Sequence, residues 1–253
     1  MSRGREVLVR AVLTVAVVGA FVAALLASGY QWDFRPIWKY RGLYVEGLWK
    51  TLAATGVGYA TGLVAGVFVA LARLSRTLPV RHLGDLYVEI IRGTPFLVQL
   101  LVAYFCIAPL LGLESKFWIG SIALGVFAGA YIGEVFRAGI ESVDRGQFEA
   151  ARSLGLSRRR TMRHVVFPQA FKRMIPPLTG ELIALTKESS LLYVIAFTEL
   201  SFAAKQVSSR TIKSFEAYLV VAVLYLTVTI PLSMLARRLE RRLGQSARSG
   251  VEL

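Results

Sequence analysis

The chain has 253 residues, 55% of them apolar, and a mean hydropathy of +0.55, which excludes a water-soluble globule. A net charge of +14 would suggest nucleic acid in a soluble protein, but basic cytoplasmic loops are its simpler source in a polytopic one. One cysteine, Cys106, excludes an intrachain disulfide, and His82 and His164 stand apart, with no metal-ligand spacing around them.

Runs of about 20 apolar residues recur, each long enough to cross a roughly 30 Å hydrocarbon core as a helix. Strand alternation is absent, so an all-α integral membrane bundle is expected rather than a barrel. Met1 to Arg10 is short and basic. Ala11 to Ala27 is read as a first span that is retained; a signal peptide is the other reading, though no clear A-x-A site follows. Ser28 to Gly47 carries Tyr30, Trp32, Trp38, Tyr40 and Tyr44, rings suited to anchoring an outer interfacial helix at the membrane–water boundary.

Leu48 to Ala72 is the second span. Gly58, Gly62 and Gly66 lie on one of its faces, where another helix backbone can approach closely. Arg73 to Arg81 is a basic inner loop. Gly84 to Leu113 holds the third span, interrupted at Arg92-Gly93-Thr94-Pro95. Pro95 lacks a backbone donor and clashes with the preceding turn, so a break is expected there. After a tight outer turn, Phe117 to Phe136 forms the fourth span, with a second glycine face at Gly125, Gly129 and Gly133. Two such faces predict tight helix contacts within or between protomers. Arg137 to Pro177 is a long inner segment, Leu178 to Phe202 the fifth span, Ala203 to Ser214 an outer loop, Phe215 to Ala236 the sixth span and Arg237 to Leu253 a basic tail. Six spans with both termini inside place well over half of the Lys and Arg residues on the inner side, as the positive-inside rule requires. The outer cluster Arg35, Lys39, Arg41 and Lys50 runs against it.

Within the inner segment, Glu149 to Pro168 reads EAARSLGLSRRRTMRHVVFP, the longest polar interruption in the chain. Glu149-Ala150-Ala151 is read as the start of a short helix that stops at Gly155, where only glycine enters the left-handed region without penalty. Ser157 is a candidate N-cap for a second, basic amphipathic piece that ends before Pro168. Two short helices meeting at a glycine turn suit a lever that transmits force; a basic loop resting on lipid headgroups is the alternative.

The fifth span carries Glu181, Lys187, Glu188, Ser189 and Ser190. One Lys- or Asp-type charge at a helix centre costs about 2.5–3.5 kcal/mol on insertion scales, so these groups are expected to face protein or a water-filled path. Either they hold neighbouring helices in register, or Glu188 or Glu181 binds a substrate ammonium with help from the hydroxyls. Glu134, on one face of the fourth span with Tyr131 and Arg137, is a second candidate; it either pairs internally with Arg137 or lines the path.

Glu149, Ala150, Ala151, Gly155, Val165, Phe167 and Pro168 fall in the register EAA-x3-G-x9-I-x-L-P. This resembles the EAA loop in membrane subunits of bacterial and archaeal ABC importers, with Val165 in place of Ile and Phe167 in place of Leu. The runs RGTPFLVQLL and RAGIESVDRGQFEAARSLG resemble the polar-amino-acid branch of that family, as does ELIALTKESSL, where Gly180 replaces an Asn and Glu188-Ser189 replaces Asp-Thr. The resemblance covers about 47–242. It implies a five-span permease core at 48–242 containing the coupling loop 149–168, preceded by an extra span and outer segment at 1–47 and followed by a tail at 243–253. It further implies a cytoplasmic coupling helix on Glu149, Ala150, Ala151, Gly155 and Pro168, docked on a separate ATP-hydrolysing subunit present in two copies. A second permease subunit, an extracytoplasmic solute-binding protein and an amino acid substrate complete the implied importer, in a prokaryotic cell membrane. The substrate path would involve Glu181, Lys187, Glu188, Ser189 and Glu134.

No G-x-x-x-x-G-K-[ST] phosphate loop or Gly-Lys dipeptide occurs, and no catalytic constellation is visible. The chain is therefore expected to carry no enzyme activity and no cofactor of its own, with ATP and Mg²⁺ held by the partner. An ion-coupled carrier or channel without an ATPase is the alternative function, which intramembrane Glu and Lys would also suit.

Overall fold

The computed structural model describes residues 29–248 continuously, with side chains as far as residue 241 and isolated positions ahead of residue 29. The expected first span, Ala11 to Ala27, and the last residues of the tail lie outside that continuous range. The described residues are helices joined by short connections: α1 (Arg35–Lys39), α2 (Arg41–Arg73), α3 (Leu78–Gly93), α4 (Phe96–Val102), α5 (Lys116–Glu141), α6 (Arg145–Ser153), α7 (Arg158–Thr161), α8 (Phe167–Glu188), α9 (Leu200–Thr211) and α10 (Ser214–Arg248).

The two glycine faces meet each other within one chain. A Cβ built on Gly58, Gly62 or Gly66 of α2 would lie 2.6–2.8 Å from Leu124, Ala128 or Ile132 of α5. In return, a Cβ on Gly129 or Gly133 of α5 would lie 2.8 or 2.7 Å from Ala65 or Val69 of α2, and one on Gly125 would collide with Thr61. Each glycine costs about 1 kcal/mol of helix propensity relative to alanine. In return the two backbones interlock along most of their length, and Leu124, Ala128 and Ile132 are buried in the core.

Three helices among the described residues are long and apolar enough to span a membrane alone: α2, α5 and α10 as far as Arg241. The α3–α4 pair, bent by 105° at Thr94-Pro95, can make a fourth. The bend is stitched by Gln99, whose Nε2 donates to the carbonyls of Ile91 at 2.8 Å and Thr94 at 3.0 Å and to Thr94 Oγ1 at 2.9 Å. A broken helix leaves its last carbonyls without partners, and one glutamine answers two of them.

The expected fifth span, Leu178 to Phe202, is not one helix. The chain is already helical from Phe167, α8 closes at Glu188, and a tight 3₁₀ segment, Ser189–Ile195, follows. Ala196 then takes a left-handed conformation with φ of 55°. Glu199 starts α9 by accepting from the backbone N–H groups of Ser201 and Phe202, each at 2.8 Å. The predicted outer loop 203–214 is therefore mostly helix. Its cap lies inside what reads in sequence as the end of an apolar run. With Lys172, Arg173, Glu181, Lys187 and Glu188 in one helix, α8 also falls short of the apolarity of the other spans. The expected count of six spans is not reproduced among the described residues.

Two π turns share one cause. Ala103–Ile107 continues α4 and leads into Ala108-Pro109; Met162–Val166 continues α7 and leads into Phe167-Pro168. Proline lacks an N–H and its ring crowds the carbonyl four residues back. Widening the preceding turn to an i→i+5 bond lets the helix pass through.

Candidate functional site

The coupling segment is built on a buried stem. Asp144 caps α6, its Oδ1 accepting from the Gly146 N–H at 2.7 Å. The helix thus begins a turn earlier than the sequence suggests, and Glu149-Ala150-Ala151 occupies its middle rather than its start. Ala151 faces the core at 4% exposure, whereas Glu149 and Ala150 are exposed. The helix closes with paired bonds, Leu156 N to Ala151 O at 3.2 Å and Gly155 N to Arg152 O at 2.9 Å, with Gly155 at φ of +80°. This Schellman closure requires a left-handed residue at position 155. Leu154 stands 82% exposed at the tip.

Ser157 caps α7. The basic piece does not end before Pro168; α7, the π turn and α8 run on as one rod, because the π turn absorbs the proline. α6 meets that rod through Gln169, whose Nε2 donates to Gln147 Oε1 at 3.5 Å, and the end of α5 is tied to it as well. Arg173 Nη1 donates to the Ser142 carbonyl and, at 3.1 Å, to its hydroxyl, and the Gly139 backbone sits against Met174. Val143, Ala151 and Val166 are buried beneath the lever, and the partly buried Phe148 packs against the core beside them. α6, the end of α5 and the start of the rod thus share one packed base.

The candidate pathway residues do not share one environment. Glu134 lies at the α6 end of the bundle. It pairs with Arg137 at 2.5 Å and with Arg73 of α2; Arg73 also holds Asp85 of α3 at 2.7 Å, and Arg137 holds Glu141 at 2.5 Å. Lys187 is exposed on α8. Ser189 is buried, its hydroxyl donating to the Thr186 carbonyl at 2.7 Å. Glu188 lines a cavity of about 360 Å³ with Arg92, Gly93, Thr94, Pro95, Phe96, Phe127 and Tyr131. Glu181, partly buried, lies within electrostatic reach of Arg92 and of Tyr59.

The cavity forms where two interrupted helices meet: the break between α3 and α4, and the end of α8. Irregular backbone at membrane depth is tolerated where it lines such a space. Its charges have opposite signs. The Arg92 guanidinium sits 5.3 Å over the Tyr131 ring, and Glu188 lies on the facing helix. Phe127 sits between Phe96 and Tyr131 with ring centroids 5.0 Å apart on each side and the rings tilted by 51° and 48°, giving the site an aromatic wall. The sequence alone marks Arg92 only as part of the break in the third span and gives it no role at the site. The available signal was the Arg-Gly-Thr-Pro break itself, since a discontinuity in a span points to a binding site.

The family described as the inner membrane component of binding-protein-dependent transport systems matches residues 62–245. The probable glutamine ABC transporter permease protein GlnM of Bacillus subtilis is 43% identical over 205 residues, covering 81% of this chain and 94% of that protein. The glutamine transport system permease protein GlnP of Escherichia coli K12 is 36% identical over 216 residues, covering 84% and 98%. The arginine transport system permease protein ArtQ of B. subtilis is 35% identical over 200 residues, covering 79% and 91%. A crystal structure of an amino acid ABC transporter with histidines superposes with a TM-score of 0.79 at 40% identity, over 84% of this chain and all of that one. Inward-facing MetNI methionine ABC transporter, at 22% identity and a TM-score of 0.65 over 80% and 97%, shares the fold. The chain belongs to the family of binding-protein-dependent transport system inner membrane components: it is an ABC importer permease, a transport component rather than an enzyme.

Proposed function

We propose that this permease carries a polar amino acid through the cavity between the α3–α4 break and the end of α8. The observation that carries the reading is the presence of Arg92 and Glu188 in one aromatic-walled cavity. A zwitterion offers a carboxylate to the guanidinium and an ammonium to the carboxylate, which compensates both charges in a low-dielectric setting where each alone is costly. The relatives named for glutamine and arginine support that substrate class.

The importer assembled around this chain would comprise two permease subunits, identical or not, two ATP-binding subunits holding ATP and Mg²⁺, and an extracytoplasmic solute-binding protein. Both termini of the permease would be cytoplasmic. ATP-driven closure of the ATPase pair would press on α6 at Glu149, Ala150, Ala151 and Gly155, and the α7–α8 rod through Pro168 would move Glu188 and Glu181 relative to the α3–α4 break. That is alternation between packed arrangements. Membership in a binding-protein-dependent family leaves the ion-coupled alternative without support.

The test is reconstitution with the partner ATPase and binding protein. Polar amino acids are expected to stimulate ATP hydrolysis, and Arg92→Gln and Glu188→Gln to lose most of that stimulation while the unstimulated rate persists. Stimulation as in the parent chain by both variants would overturn the role of the cavity.

A further inference from the structure

A second pocket lies at the end of the bundle opposite the coupling segment. It is a groove of about 270 Å³ lined by Phe34, Ile37, Trp38, Arg41, Tyr44, Val45, Leu48, Val220 and Leu224. Apart from Arg41 its lining is apolar or aromatic. Its walls are fixed: Ile37 and Tyr44 are buried, and the Tyr44 hydroxyl donates to the Ala217 carbonyl of α10 at 3.2 Å. Its rim is open, with Trp38 71% and Val45 68% exposed.

Depth and charge indicate what fits it. At 1.5 Å per residue the 33 residues of α2 run about 50 Å, more than the roughly 40–45 Å of a bilayer with its headgroups. With Arg73 at the coupling end, Arg41 in the first turn of α2 therefore reaches the headgroups of the opposite leaflet. Val45, Leu48, Val220 and Leu224 continue from it toward the hydrocarbon. Arg41 is held 5.4 Å over the Trp38 ring, its Nη1 donating to the Trp38 carbonyl at 3.3 Å. Arg35 and Lys39 stand nearby on α1. Among the described residues none of these three cations has a carboxylate within ion-pair distance, whereas Lys50 is paired with Glu46 at 2.6 Å and Lys213 approaches Glu216 at 3.9 Å. These three also make up most of the cluster that breaks the positive-inside pattern.

We infer that this groove is a binding site for an anionic phospholipid of the leaflet opposite the coupling segment, with one acyl chain along Val45, Leu48 and Leu224 and the phosphate on Arg41. An apolar slot below a guanidinium matches the two ends of such a lipid. Three cations without a carboxylate partner among the described residues favour a net negative headgroup over a zwitterionic one by direct charge attraction.

The test uses the full-length chain with Trp32, Trp49 and Trp118 replaced by Phe, so that Trp38 reports alone, in phosphatidylcholine nanodiscs. A minor fraction of lipid brominated near the top of its acyl chains is added, either as phosphatidylglycerol or as phosphatidylcholine. Brominated phosphatidylglycerol is expected to quench Trp38 severalfold more than the same fraction of brominated phosphatidylcholine. Arg41→Gln should remove that preference and leave the phosphatidylcholine quenching in place, while Arg41→Lys should retain much of it. Equal quenching by the two lipids would reduce the groove to bulk membrane contact. Absence of quenching by either would mean that protein covers it. Either result overturns the inference.

Discussion

Arg73 and Glu134 form an ion pair that joins the end of α2 to α5, beside the coupling segment. Both side chains are mostly buried, and each has a second partner, Asp85 for Arg73 and Arg137 for Glu134. The pair thus extends the glycine-zippered α2–α5 contact to its last turn and ties α3 to it. Glu134→Ala would leave Arg73 and Arg137 with one carboxylate each. A charged hydrogen-bonding group lost from such a setting costs about 1.5–3 kcal/mol. Thermal unfolding in detergent, run as a double-mutant cycle with Arg73→Ala, is expected to give a clear coupling energy; strictly additive losses would show that the pair is idle.

The interlocked glycines predict a position-specific sensitivity. Gly62→Val places a Cβ 2.8 Å from that of Ala128 and 3.3 Å from the Gly125 carbonyl, and overpacking of this kind costs about 1–3 kcal/mol. Gly56, on the same helix with nothing within 4 Å, is the control. Gly62→Val should lower the yield of folded permease in a fluorescence-detected size-exclusion assay and Gly56→Val should not. Equal yields would refute the helix contact.

At the lever, Gly155→Val puts a β-branched residue at φ of +80°, a strain of at least about 1–2 kcal/mol that also opens the Schellman closure. The variant should insert and bind its ATPase partner yet lose transport by tenfold or more in proteoliposomes. Normal transport at normal abundance would remove position 155 from the coupling path. Glu149→Lys, changing an exposed charge on α6, should reduce co-purification of the ATPase, and unchanged recovery would place the docking contact elsewhere.

Gln99 offers a test of the broken helix. Gln99→Leu removes all three hydrogen bonds that answer the open end of α3, at a cost of about 1–3 kcal/mol for partly buried polar groups left unsatisfied. Reduced thermal stability together with weaker substrate stimulation of ATPase activity is expected, because Thr94 and Pro95 line the cavity. A variant with parental values for both would show that the bend is held by packing alone.

Within the cavity, Glu188→Gln is nearly isosteric and removes only the charge. Loss of a charged hydrogen bond to an ammonium corresponds to about tenfold or more in apparent substrate affinity. The concentration of amino acid giving half-maximal ATPase stimulation should rise accordingly. If it does not move, Glu188 is a structural group.

Much of this protein is legible in one dimension. Apolar runs identify α2, α5 and α10, since burying a helix in lipid demands continuous apolarity that few other structures need. Gly155 and Ser157 mark the lever turn because both act through their own backbone neighbourhood, and Pro95 marks the break for the same reason. Which elements meet was decided only in three dimensions. Two glycine faces in sequence are compatible with contacts inside or between chains, and only the packing of Gly62 on Ala128 shows the contact within one chain. Arg92 reads only as one residue of a helix break until the bend carries it to Tyr131 and Glu188, and the four candidate residues of the fifth span read alike until α8 ends and turns Ser189 inward and Lys187 outward. Local chemistry sets the turns, caps and breaks, because each depends on a few adjacent residues. The cavity and the Arg73–Glu134 tie depend on residues 61 to 96 positions apart, whose approach is settled by how whole helices pack.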